Sequence, residues 1–219
     1  MTEFVLIPGF GGAADFDFVA PMLAREHEVS IVDAASRLAV APDAILVGYS
    51  LGAALAVAYA AEHAGEHSGE HAAEHTGEHP VGALVLICGW TQPTPRLLDW
   101  STHAADEAFA RHTMVGPDSD RTPLVRPELL ALLDPLLDPP RDPLPVPELG
   151  KISCPTLVIG GKYDLVATAH QSRLLYGGIA DSRYVELPTG HAALAERPAE
   201  VLSLLSEFAA ELAVSPAAR

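Results

Sequence analysis

Residues 81–88 read Val-Gly-Ala-Leu-Val-Leu-Ile-Cys, an unbroken apolar run of strand length. A strand with one wet face alternates polar and apolar residues. A strand with no polar position has to be covered on both faces, the situation of a parallel sheet held between two layers of helices. The same theme recurs along the chain. Residues 3–7 stop at the breaker cluster Pro8-Gly9-Phe10-Gly11-Gly12, residues 29–32 and 44–47 are two further short runs, and residues 156–159 and 184–187 follow later. Helical patterns fall between them at 16–27, 51–61 and 168–176, and another closes the chain at 194–212. In the first, Phe18, Met22 and Leu23 are placed on one face. Strands alternating with helices predict an α/β fold, with a mostly parallel sheet of about six strands and helices on both faces.

Composition fits one globular domain: 49% of the 219 residues are hydrophobic and only 19% are charged, enough to bury a core. Residues 91–150 interrupt the alternation. They hold eleven of the nineteen prolines and no strand-like run, yet carry apolar patches at Leu97-Leu98, Trp100, Phe109, 129–133 and Leu136-Leu137. The segment is either a long irregular connection or a small helical lid, and the clustered leucines favour the lid. The expected organisation is a core of residues 1–90 and 151–219, a Pro-rich helical lid at 91–150, and a Glu-His repeat at 62–79 inserted within the core.

The net charge of −16, from 29 acidic and 13 basic side chains, repels phosphate backbones and anionic headgroups. Neither nucleic acid nor a membrane is expected as a partner. No apolar run approaches the roughly 18–20 residues that span a bilayer. Met1-Thr2-Glu3 leads into Phe4-Val5-Leu6-Ile7 without a basic leader, so a soluble, cytoplasmic protein is expected. Two cysteines are too few for a disulfide framework. Cys88 ends one strand and Cys154 precedes the next, which in a parallel sheet puts them at opposite ends. Neither has a catalytic partner in view.

The run at 44–47 feeds Gly48-Tyr49-Ser50-Leu51-Gly52 and then an alanine-rich helix. This is the Gly-x-Ser-x-Gly pattern of a sharp strand-to-helix turn. The turn strains the serine and leaves its hydroxyl at a helix N-terminus, where free N–H groups favour developing negative charge. The five residues alone arise often by chance; the strand before and the helix after supply the context. A serine hydroxyl needs a base, and the base an orienting acid. Of the ten histidines, His191 lies in Leu187-Pro188-Thr189-Gly190-His191, after the last strand and at the carboxyl edge of the sheet. Asp164, in Gly160-Gly161-Lys162-Tyr163-Asp164, follows the penultimate strand on the same edge. The competing readings are a helix-capping aspartate and a turn histidine. The backbone N–H groups of Leu51 and Phe10 are the candidate oxyanion hole. The glycine-rich loop lacks the Lys-Ser/Thr ending of a phosphate-binding loop. Tyr49 and Trp90 are candidate substrate-binding residues, Trp90 with the leucine-rich segment as acyl-pocket lining.

Taken in order, Pro8-Gly9-Phe10-Gly11-Gly12, Gly48 to Gly52, Gly161-Lys162-Tyr163-Asp164 and Gly190-His191 resemble the α/β-hydrolase fold superfamily, within it the small carboxylesterase-like and thioesterase-like serine hydrolases. The resemblance implies a lid inserted after residues 81–88 and an acyl-enzyme on Ser50. Three departures stand out. Pro8-Gly9 replaces the usual His-Gly, removing a loop-ordering histidine. The chain starts at what would be the family's third strand, leaving a trimmed sheet. The third is the repeat, in which His63, His67, His71, His75 and His79 each follow a glutamate in a four-residue period. Deleting residues 62–77 restores an ordinary junction, so the tract reads as extra copies of one tetrad. Histidines at i, i+4 on a helix fit a shared metal, but glutamates at the same spacing repel and the interspersed glycines weaken a helix. A neutral solvated expansion is the expectation, against a metal site or a partner contact.

No cofactor or metal is expected, and the partner is a small-molecule substrate, with the oligomeric state left open. The leading reading is a serine hydrolase for a small, rather apolar ester, thioester or lactone. The alternatives keep the fold and triad for a non-hydrolytic step (elimination, C–C cleavage or cyclisation) or for a small-molecule receptor.

Overall fold

The computed structural model describes residues 1–32, 38, 40–64, 81–131 and 148–214. Six strands build one sheet: β1 (Glu3–Ile7), β2 (Glu28–Ile31), β3 (Ile45–Tyr49), β4 (Ala83–Ile87), β5 (Thr156–Gly161) and β6 (Ser182–Leu187). Their order is β2-β1-β3-β4-β5-β6 and every neighbouring pair is parallel. The chain therefore steps outward from β1 to β2, returns across β1 to β3, and from there proceeds in one direction. That reversal leaves a crevice between the carboxyl ends of β1 and β3, where open α/β sheets bind ligands.

The strands obey the two-residue period of a doubly covered sheet. In β4, Ala83, Val85 and Ile87 join one core layer and Leu84 and Leu86 the other, all fully buried. The first layer is closed by α1 (Val19–Leu23) and by Val201, Leu205 and Phe208 of α8 (Pro198–Val214). The second is closed by Ala53, Ala56, Val57 and Ala60 of α2 (Leu51–His63) and by Leu175 of α6 (Ala169–Gly178). Small residues let α2 sit close to the sheet. A Cβ at Gly52 would overlap the carbonyl oxygen of Ile7, and one at Gly48 the carbonyl oxygen of Gly52.

Two helical readings need correction. Residues 16–27 are not one helix but a 3-10 turn, Gly12–Phe16, followed by the short α1. Pro21 has no N–H for an i−4 carbonyl and is tolerated only in a first turn, so α1 begins just ahead of it. Its buried residues are Val19, Ala20 and Leu23, whereas Phe18 and Met22 are exposed. Residues 194–212 divide at Pro198 for the same reason, into α7 (Ala193–Glu196) and α8.

Between β4 and β5 the described residues form three short α-helices, α3 (Pro95–His103), α4 (Glu107–Met114) and α5 (Pro127–Leu130), and a 3-10 turn at Leu149–Lys151. Thr94 and Asp106 cap the first two, accepting from the N–H groups of Leu97 and Phe109. The Trp100 indole N–H donates to Thr113 Oγ1 at 2.9 Å, tying α3 to α4. The leucines at 133, 136 and 137 and the Glu-His repeat beyond His63 lie outside the described residues. At the last described turn of α2, His63 Nδ1–H donates to the Tyr59 carbonyl at 2.8 Å. No helix among the described residues is long and apolar enough to cross a membrane.

Candidate active site

Ser50 ends β3 and opens α2 with φ 55° and ψ −117°, a left-handed conformation that a side chain rarely adopts. The surroundings hold it there. Its N–H donates to the carbonyl of Ile87 in β4 at 2.9 Å, and its carbonyl accepts from Ala53 and Ala54 in α2. The strained turn aims the hydroxyl out of the sheet edge toward His191.

Ser50 Oγ lies 2.7 Å from His191 Nε2, and His191 Nδ1 lies 2.8 Å from Asp164 Oδ2. An ionised carboxylate only accepts, so the proton sits on Nδ1 and Nε2 is left to accept from the serine hydroxyl. Asp164 divides its oxygens: Oδ1 accepts from the N–H groups of Val166 and Ala167 at 2.8 and 2.9 Å, and Oδ2 faces the imidazole. It thus combines local turn-forming with orienting the histidine. All three side chains are buried, with Ser50 at 1%, His191 at 0% and Asp164 at 4% exposure. The arrangement fits a Ser-His-Asp triad.

The His191 loop is fastened from three sides. The Tyr49 hydroxyl donates to the His191 carbonyl at 3.0 Å, so this buried ring is turned under the histidine. Glu196 accepts from the N–H groups of Gly190 and Gly116, and Ala192 N–H donates to the Met114 carbonyl. Burial raises the Glu196 carboxyl above the usual range, against the pull of those two N–H groups. No sequence pattern marks Glu196; the only hint is a lone acid in the otherwise apolar turn before Pro198.

The loop after β1 presses against the nucleophile, for a Cβ at Gly9 would stand 2.8 Å from Ser50 Cβ. Phe10 and Leu51, the expected oxyanion donors, follow Gly9 and Ser50 in the chain and are buried. Above them lies an apolar cluster that includes Phe10, Leu51, Trp90, Leu97, Trp100 and Met114. Phe10 stacks on Trp90 with centroids 6.4 Å apart and packs on Trp100 at 5.5 Å. Two clefts flank this cluster. One of about 460 Å³ borders Pro8, Gly9, Gly12 and Arg126; another of about 800 Å³ separates Arg111 and His112 of α4 from Lys162 and Tyr163.

Cys88 departs from its sequence reading. It shares with Ser50 the rarity of a positive φ (49°), and its thiol, one Asp164 oxygen and one His191 nitrogen all lie within 4.8 Å of one another. The cause is topological: β4 and β5 are neighbours, so residues just past their carboxyl ends meet. Burial, then the Asp164 charge, push the thiol well above its ordinary range, which leaves it protonated and a poor nucleophile. These three residues are the only metal-compatible grouping of His, Cys, Asp and Glu among the described residues. Asp164 and His191 are already committed to each other. Both cysteines are free and buried.

The comparisons with known proteins agree with this fold. A family model, that of the alpha/beta hydrolase family, matches residues 4–204. No curated protein is significantly similar to the chain. Among solved structures, BpoC of Mycobacterium tuberculosis H37Rv, assigned as a non-heme bromoperoxidase, is 18% identical with a TM-score of 0.71, covering 97% of this chain and 93% of its own. The enol-lactonase of Burkholderia xenovorans LB400 is 21% identical with a TM-score of 0.63, over 95% and 91%. A thermophilic esterase of Thermogutta terrifontis is 16% identical with a TM-score of 0.63, over 97% and 90%. At these identities the likeness is one of fold.

Proposed function

This chain belongs to the alpha/beta hydrolase family, and from that premise we propose that it is a serine hydrolase cleaving a small, rather apolar ester, thioester or lactone through an acyl-enzyme on Ser50. The observation that carries the reading is the continuous line from Ser50 through His191 to Asp164, at 2.7 and 2.8 Å. His191 Nε2 takes the hydroxyl proton as Oγ attacks the carbonyl carbon, and returns it to the leaving alcohol or thiol. Water then enters by the same relay in reverse and releases the acid. The buried Asp164 charge stabilises the imidazolium formed at each step. The Phe10 and Leu51 N–H groups serve the tetrahedral oxyanion.

Residues 91–150 act as a lid in this reading. Trp90, Phe10 and Trp100 form an aromatic ceiling suited to an apolar acyl group. Tyr49 supports the His191 backbone through its hydroxyl. That an esterase and a lactonase share the fold makes ester and lactone panels the natural first screens. We place the reaction in the cytoplasm, on the strength of composition.

The test is turnover of p-nitrophenyl acyl esters by wild type and by Ser50→Ala, with fluorophosphonate labelling of Ser50 in parallel. Wild type hydrolyses and labels; Ser50→Ala does neither. Substantial residual hydrolysis by pure Ser50→Ala would overturn the mechanism.

A further inference from the structure

Asp15 is an acid that the triad does not use, set half-buried in the 3-10 turn Gly12–Phe16. Its Oδ2 accepts from the Gly9 N–H at 2.8 Å, and the nearby Gly11 N–H also favours the carboxylate's charge. A Cβ at Gly11 would overlap Asp15 Oδ1, so the carboxylate is packed directly against the loop backbone. The opposite side of the same loop meets Ser50 at Gly9. Gly9, Phe10 and Gly11 are thus threaded between a carboxylate and the nucleophile. Phe10 is the residue between the two whose N–H groups are held. Two further bonds steady the strand of backbone, Gly12 N–H to the Gly9 carbonyl at 3.2 Å and Arg126 N–H to the Phe10 carbonyl at 2.8 Å.

We propose that the ionised Asp15 carboxylate is the positioning residue of the oxyanion loop: by gathering the Gly9 and Gly11 N–H groups it fixes the Phe10 peptide so that its own N–H meets the developing oxyanion on Ser50. The proposal rests on the hydrolase reading above.

The electrostatics follow from the packing. Removal from water pushes the Asp15 carboxyl up to about 7, against the pull of the Gly9 and Gly11 N–H groups, of His191 after β6 and of Arg126 ahead of α5. The Tyr49 hydroxyl at the end of β3 is a further titratable neighbour; it stays neutral, its own ionisation disfavoured by burial and then by the Asp15 charge. A carboxyl raised in the folded state favours folding most when protonated, and this contribution is lost as pH rises from the unfolded value through about 7. The ionised form therefore costs stability while it serves the loop. A protonated carboxyl sets a donor against one of the N–H groups, and the loop loses a tie. Activity gains an acid limb near neutrality.

Asp15→Asn copies the protonated state and separates the two effects. In this variant kcat for p-nitrophenyl butyrate at about pH 8 falls about 100-fold, with KM within about threefold of wild type, and the acid limb changes shape because only the histidine base then contributes to it. Its Tm at about pH 8 stays at or above the wild-type value, because the buried charge has been removed. A residue of purely structural use would lower Tm and activity together. Retention of kcat within about twofold, or a loss that tracks Tm, overturns the proposal. Should wild type hydrolyse no ester, the hydrolase reading fails and the loop is judged by amide NMR alone. Joint titration of the Gly9 and Gly11 signals near pH 7, absent in Asp15→Asn, supports the ordering role. Signals that do not titrate overturn it.

Discussion

The strand ends that carry Ser50, Asp164 and His191 and the helices between β4 and β5 are built on different principles. The strand ends are fixed by backbone. Ser50 is tied to Ile87, Lys162 and Tyr163 donate to the carbonyls of Leu187 and Thr189, and Asp164 gathers Val166 and Ala167. The described α-helices of the inserted segment are four to nine residues long, too short to persist alone. They are held by two side-chain caps, one indole-to-threonine bond and an apolar cluster. A reacting atom has to be placed within a few tenths of an ångström, which ladder hydrogen bonds can enforce. An apolar ceiling has only to exclude water and match a shape, which exchangeable side chains can do.

Three substitutions test that contrast, from the largest effect to the smallest. Asp164→Asn keeps an oxygen for Val166 and Ala167 but turns an amide donor toward His191 Nδ1. The proton then moves to Nε2, where it faces the serine hydroxyl. We expect kcat to fall about 10⁴-fold with the fold intact; a loss below tenfold would mean that Asp164 serves only the turn. Gly52→Ala drives a methyl into the Ile7 carbonyl and separates α2 from the sheet. Chemical denaturation should show a loss of about 3 kcal/mol, and wild-type stability would contradict the close approach. Trp100→Leu acts only on the ceiling. The acyl-length preference in kcat/KM should move by about tenfold while the fluorophosphonate labelling rate of Ser50 stays nearly constant. If labelling falls as steeply as turnover, the two regions are one mechanical unit and the contrast fails.

The sheet and the meeting of Ser50, His191 and Asp164 were legible in the sequence because both rest on short-range rules. Apolar runs at 3–7, 81–88 and 156–159 coincide with β1, β4 and β5, and the glycine pattern around Ser50 states its own backbone geometry. The missed breaks, ahead of α1 and at Pro198, were marked by prolines whose meaning depends on helix register. What stayed hidden was set by neighbours distant in sequence. Glu196 joins Gly190 to Gly116, Tyr49 reaches the carbonyl of residue 191, and Cys88 meets Asp164 because two strands lie side by side. Asp15 is closer in sequence to its partners, but only the curl of the loop shows its carboxylate facing Gly9.

The Cys88 thiol has a practical consequence. Its sulfur lies within 4.8 Å of an Asp164 oxygen and a His191 nitrogen, one imidazole away from Ser50, and is buried from solvent. The S–H stretch absorbs in a spectral window free of other protein bands, and its frequency follows the field at the sulfur. With Cys154 replaced by serine, a single infrared line would register the field beside Asp164 and His191, a built-in optical voltmeter needing no added label.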